Sequence, residues 1–69
     1  MPLTMVQPGE VNIIKKITGK DDVRQHLAEL GFVVGAQVTV VSRICGNVIV
    51  AVKESRVAIG NAMAARVIV

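Results

Sequence analysis

Two side chains with nucleophilic or metal-binding chemistry occur once each in the 69 residues, His26 and Cys45. Covalent catalysis needs a nucleophile with a base in hydrogen-bond reach and a third group to orient that base. No motif places a base beside Cys45, which precedes Gly46 in a predicted hairpin turn. The chain also lacks the G-x-x-x-x-G-K-[ST] motif that cradles nucleotide phosphates. We therefore predict a non-enzymatic protein.

Metal binding is the second chemistry that these residue types suggest. Asp22, His26 and Glu29 follow i, i+4 and i+7 spacing, which places all three on one face if the segment is helical. Two carboxylates and an imidazole could form a weak divalent-cation site, and Cys45 is the remaining soft ligand. The simpler interpretation is a solvated helix face. The sequence therefore predicts neither a resident metal nor another cofactor, with these four residues as weak candidates.

A single helix is predicted to organise the chain, and it covers residues 22–30. Val23, Leu27 and Leu30 recur at i, i+4 and i+7, which predicts one buried helical face. Asp22 is predicted to cap the first turn, and Gln25 is spaced to reach back as in a capping box.

The predicted helix ends at a glycine. Gly31 follows the last periodic residue, where a left-handed backbone conformation suits glycine. Phe32 is then expected to fold back onto Leu27. A second glycine, Gly35, is predicted in the turn that leaves the helix.

The rest of the chain is predicted to be short strands and tight turns. Pro8 and Gly9 indicate a turn, because proline presets φ and glycine supplies positive φ. A helical or 3₁₀ turn is predicted within residues 60–64. The final strand is expected to pair with an early one. The predicted strands are residues 11–17, 38–43, 48–52, 57–59 and 66–69. This pattern predicts one mainly β domain over residues 1–69, a small five-stranded, partly open barrel of SH3-like or OB-like type with one short α-helix after the first long strand.

Composition limits the classes of partner. The net charge is +3, the basic residues are scattered, and only one residue is aromatic. Base stacking and polyproline recognition both depend on aromatic rings, so neither nucleic acid nor a proline-rich peptide is a predicted partner. Apolar runs reach only five residues, as in residues 48–52, so no membrane insertion is predicted. No signal peptide is visible, and one cysteine fits a reducing compartment, so a cytoplasmic location is predicted.

Aliphatic residues exceed what one small barrel interior can hold, because 52% of the chain is hydrophobic. The excess predicts an apolar patch that a partner covers, although it could instead pack under the helix. Edge strands offer another route to a partner strand or a second copy of the chain, so a homo-oligomer is an alternative. The patch candidates are Val33, Val34, Val41 and Ile49, ringed by Arg24, Arg43 and Arg56.

The order of motifs resembles the FeoA family and the related C-terminal domain of iron-dependent repressors. Pro8-Gly9-Glu10 precedes a strand, and Glu29-Leu30-Gly31-Phe32-x-x-Gly35 ends the helix. Three departures concern loops. Val34 stands where the family commonly has proline, the hairpin turn at residues 44–47 lacks a proline, and Gly60-Asn61 replaces the usual charged residues.

The resemblance implies an SH3-like barrel acting as a cytoplasmic accessory protein. Its implied partner is FeoB, the membrane ferrous iron transporter with a cytoplasmic G-protein domain. Binding to FeoB would place the chain at the inner membrane without insertion. The alternative is a stand-alone regulatory module of a metal-dependent repressor system.

Overall fold

Six strands in two antiparallel sheets form the framework of the protein, as seen in a computed structural model that describes residues 1–69. The elements are β1 (Val11–Ile13), β2 (Lys16–Ile17), α1 (Asp21–Glu29), β3 (Gln37–Ile44), β4 (Asn47–Val52), β5 (Ser55–Gly60), α2 (Asn61–Ala64) and β6 (Val67–Ile68). A 3₁₀ turn at Leu3–Met5 precedes them. The larger sheet has the order β1-β3-β4-β5, and the smaller sheet pairs β2 with β6.

The predicted mainly β architecture with one short helix is confirmed, but the predicted first strand is divided between the two sheets. β1 pairs with β3, whereas β2 pairs with β6. The break raises the strand count from five to six. Ile14, between the two strands, is fully buried, whereas Val11 and Ile13 of β1 are 62% and 45% exposed. Ile13 and Ile14 are adjacent, so an unbroken strand would point them to opposite faces.

Strand alternation supplies most of the core. Val38 and Val40 of β3 and the even-numbered valines 48–52 of β4 are buried, as period-two geometry requires for a sheet with one covered face. None of the buried residues is polar or charged. The pairing of β3 with β4 shifts at Val41, between Val40 and Ser42, which marks a β-bulge.

The C-terminal end of α1 has the predicted geometry. Gly31 has φ +104° and follows the cap residue Leu30. The Phe32 amide donates to the Leu27 carbonyl at 2.9 Å and the Gly31 amide to the Ala28 carbonyl at 3.0 Å, which is the Schellman arrangement. Leu27 and Phe32 both lie in the hydrophobic core.

The predicted capping box at the other end of α1 is wrong. The chain is still extended at Lys20 and the helix begins at Asp21, two residues earlier than a cap at Asp22 requires. Asp22 lies inside the first turn, and its carboxylate accepts a hydrogen bond from the Val23 amide at 2.8 Å. Gln25 is therefore four residues beyond the first helical residue and makes no cap.

The two ends of the chain lie side by side. Leu3–Met5 forms the 3₁₀ turn at the N-terminal end, and Leu3 is buried. The predicted helical turn near residue 60 is confirmed as α2. β6 pairs antiparallel with β2, so the expected pairing of the last strand with an early one is also confirmed.

Candidate partner-binding surface

A rigid turn after α1 presents two exposed valines. The Ala36 amide donates to the Val33 carbonyl at 3.0 Å, closing a β-turn with Val34 and Gly35 at its centre. Gly35 has φ +91°, as the third position of a type II turn requires. Val34 occupies the second position, which also favours proline. The turn is fixed to the barrel because the Gly35 amide donates to the Ile14 carbonyl and the Ile14 amide to the Ala36 carbonyl.

Val33 and Val34 are 40% and 67% exposed. We call this pair the valine ridge. It separates two concave surfaces, since both residues line each of them. An apolar side chain on a rigid backbone loses little conformational entropy when a partner covers it, so the ridge is suited to docking.

The first concavity, which we call the helix groove, lies between α1 and β2 and has a volume of about 630 Å³. The polar and charged side chains that line the groove belong to α1 and to the two lysines at and just before the start of β2. Its lining comprises Lys15, Lys16, Ile17, Asp21, Arg24, Gln25, Ala28, Phe32, Val33 and Val34. Positions 21, 24, 25 and 28 are spaced three or four residues apart and therefore share one face of α1. This face forms one wall of the groove.

The second concavity has a volume of about 600 Å³ and lies on the other side of the valine ridge. It leads onto the outer face of the larger sheet through Thr39 and Ala51. Register places Val11, Thr39, Ala51 and Arg56 in one row across the four strands, opposite to the buried valines. This face includes the exposed apolar side chains of β1.

The predicted patch residues divide into separate groups. Arg24, Val33 and Val34 meet at the helix groove. Ile49 and Arg56 lie on the outer face of the sheet, where Ile49 is half-buried beside Ser42. The structure therefore does not bring all the candidates onto one continuous patch.

Val41 and Arg43 form the remaining group, near the end of β3. Val41 is the half-buried bulge residue. The Arg43 guanidinium donates to the Thr4 carbonyl at 2.8 Å and also to the Val6 carbonyl. Arg43 thus holds the N-terminal segment against β3, and its hydrogen-bonding groups serve the fold.

The residues considered for metal binding do not converge. Asp22, His26 and Glu29 are all exposed on α1, whereas Cys45 is exposed in the β3–β4 turn at φ +44°. No group of three or more His, Cys, Asp or Glu side chains is placed to hold a metal ion. None of the helices has the length and apolar character required to cross a membrane.

Sequence reasoning missed several residues of these surfaces. The sequence predicts one unbroken strand over residues 11–17, which hides the position of Lys15, Lys16 and Ile17. The adjacent apolar pair Ile13-Ile14 is the available signal, because it breaks the alternation expected within one strand. Ala28 carried no signal, since its exposure depends on the groove beside it.

Similarity to known proteins extends along the whole chain. The model of the FeoA domain family matches residues 1–69. A protein of Methanocaldococcus jannaschii named Fe(2+) transport protein A is 34% identical over 68 residues, covering 99% of this chain and 83% of that protein.

Solved structures show the same fold. The crystal structure of an iron uptake regulatory protein (FeoA) has a TM-score of 0.89 and 37% identity, covering 97% of this chain and 91% of that one. The zinc complex of Stenotrophomonas maltophilia FeoA, described as an SH3 domain protein, has a TM-score of 0.85 and 26% identity, covering 99% and 87%. The six-stranded framework is thus SH3-like, and the chain belongs to the FeoA family of ferrous iron transport accessory proteins.

Proposed function

We propose that this chain is a non-enzymatic accessory protein that works in the cytoplasm, binds the cytoplasmic G-protein domain of a FeoB-type ferrous iron transporter and modulates iron uptake. The observation that carries the proposal is the valine ridge. Its two apolar side chains are exposed on a turn that Ile14 holds in place. A surface of this kind is typical of protein–protein contacts, in which buried apolar anchors supply most of the affinity.

The placement of the reactive side chains supports a non-enzymatic role. His26 lies on α1 and Cys45 at the tip of the β3–β4 turn, so the two side chains stand on separate elements. Covalent catalysis would need a nucleophile, a base and an orienting group together. The chain would influence the transporter through binding alone. The alternative, a stand-alone module of a metal-dependent repressor system, remains a prediction, and none of the contacts described here favours it over the transporter.

Titration of the purified chain against the cytoplasmic domain of the transporter encoded in the same genome tests the proposal. We expect saturable binding, and we expect Val34→Asp to weaken it about tenfold or more, because a carboxylate would have to lose its water at the contact. The Val34 side chain is mostly exposed, so this variant should keep the fold, which circular dichroism checks.

Val11→Asp is the matched control, since Val11 is 62% exposed against 67% for Val34 and lies on the outer face of the sheet. Unchanged binding in this variant assigns the contact to the ridge. If Val11→Asp weakened binding and Val34→Asp did not, the docking surface would be the sheet face. Absence of binding for the parent chain would overturn the proposed function.

A further inference from the structure

The helix groove combines an apolar lining with an excess of positive charge. Ile17, Ala28 and the valine ridge supply apolar surface, and Phe32 also lines the groove. Lys15, Lys16 and Arg24 stand around it against a single carboxylate, that of Asp21. Arg24 is paired with Asp21, whereas neither lysine has an ion-pair partner. The two lysines are therefore free to pair with an incoming anion.

From this combination we infer that the helix groove binds an acidic, apolar segment of a partner protein. The segment would place aliphatic side chains against Ala28 and the valine ridge, and carboxylates beside Lys15 and Lys16. Opposite charges across an interface steer association and fix the register of the bound segment. The inference rests on the proposed function in that the segment would belong to the same transporter.

Other anionic partners fit the groove less well. Single-stranded nucleic acid needs exposed aromatic rings for stacking, and the only aromatic side chain, Phe32, is fully buried. An anionic membrane surface is recognised by clusters of about four to eight basic residues, more than stand here. An apolar wall beside a few cations instead matches a peptide with both kinds of side chain.

A peptide titration tests the groove without the transporter. The probe is a short peptide of alternating glutamate and leucine, added to isotope-labelled chain and followed by amide chemical shifts. We expect saturable shifts at Ile17, Ala28 and Val34, and weaker binding as salt is raised, because exposed charge pairs are screened. A peptide with lysine in place of glutamate should not bind.

Two double charge reversals locate the site. Lys15→Glu with Lys16→Glu should weaken binding of the glutamate–leucine peptide about tenfold or more. Lys53→Glu with Arg56→Glu changes the net charge equally but lies outside the groove, so it should leave the affinity within about twofold. Equal losses in both variants would overturn the inference. So would shifts confined to Thr39 and Ala51, equal binding of the lysine peptide, or no binding at about 1 mM.

The two proposals fail separately. If the transporter domain does not bind but the acidic peptide occupies the groove, the proposed function is wrong and the groove assignment stands. If the transporter domain binds the parent and the Lys15/Lys16 variant with equal affinity, the groove assignment is wrong and the proposed function stands.

Discussion

Gly31 is the residue on which the exit from α1 depends. Its φ of +104° lies in a region that residues with a Cβ atom rarely adopt. Space is not the constraint, because a Cβ built on Gly31 would meet the Val52 side chain at an ordinary 3.5 Å. The requirement is therefore conformational: the left-handed turn allows Phe32 to fold back into the core.

Replacement of Gly31 by alanine should therefore lower the free energy of unfolding by about 1–2 kcal/mol through backbone strain. For a domain of this size the change corresponds to a fall in Tm of roughly 5–15 °C, measured by thermal denaturation. Gly60→Ala is the matched control, since Gly60 has φ −67° and its nearest neighbour would be Asn47 Oδ1 at 3.9 Å. It should change stability by less than about 0.5 kcal/mol. Equal losses of stability in both variants would show that the positive φ of Gly31 is not the cause.

The two ends of α1 show why some residue-level features are predictable. Glycine after the last periodic residue has one strong physical interpretation, so Gly31, Phe32 and their contact with Leu27 could be predicted. At the other end, Asp21 and Asp22 are both good cap residues by type. Neither precedes the helix, because the chain arrives from β2 extended only as far as Lys20, which becomes the cap and makes no side-chain cap hydrogen bond.

Among the elements, the β-strands 3–5 were predictable and the strand before them was not. Valine-rich alternation and two-residue turns specify hairpins locally. The break between β1 and β2 arises instead from partners far along the chain, β3 for one half and β6 for the other. Long-range pairing leaves only a weak local signal, here the adjacent Ile13 and Ile14. The same break carries Lys15 and Lys16 to the helix groove, so the groove could not be predicted either.

The side chain of one residue of β3, Arg43, bonds to the N-terminal segment. Arg43 donates hydrogen bonds to the carbonyls of Thr4 and Val6, on either side of the 3₁₀ turn. Leu3 and Val6 are buried beneath this attachment. A planar guanidinium can reach two carbonyls at once because its donors form a rigid fork.

Arg43→Met keeps most of the aliphatic stem and removes the donors. We expect a loss of about 1 kcal/mol, since hydrogen bonds at a partly exposed site contribute modestly. The amides of Met5 and Val6, which bond within the turn, should exchange about fivefold faster with solvent deuterium. Arg56→Met, at an exposed arginine of the outer sheet face, should change neither quantity. Unaltered exchange at Met5 and Val6 in Arg43→Met would show that the segment is held without the Arg43 hydrogen bonds.

At the scale of the molecule, the chain closes on itself at its two ends. The Met1 ammonium donates to the Val69 carbonyl at 2.9 Å, and the Val69 amide donates to the Met1 carbonyl at 2.8 Å. Pro2 bridges to Ile68, and β6 pairs with β2. The smaller sheet therefore depends on residues that are far apart in sequence. Val67 and Val69, at this closure, are almost completely buried.

Because the ends are already in contact, joining them should not disturb the fold. A permutant with Val69 linked to Met1 through a short glycine–serine linker, and opened between Lys53 and Glu54, should retain the parent's amide spectrum. The opening falls in an exposed two-residue turn, where Lys53 has φ +55° and cleavage removes no buried contact.

The control has the same linker but is opened between Val50 and Ala51. This opening interrupts β4, which pairs on both sides, so the control should not fold. Denaturant titration compares the folded permutant with the linear chain. A turn-opened permutant without dispersed resonances would show that closure at the ends is not the framework of the barrel, because the linker leaves every other contact in place.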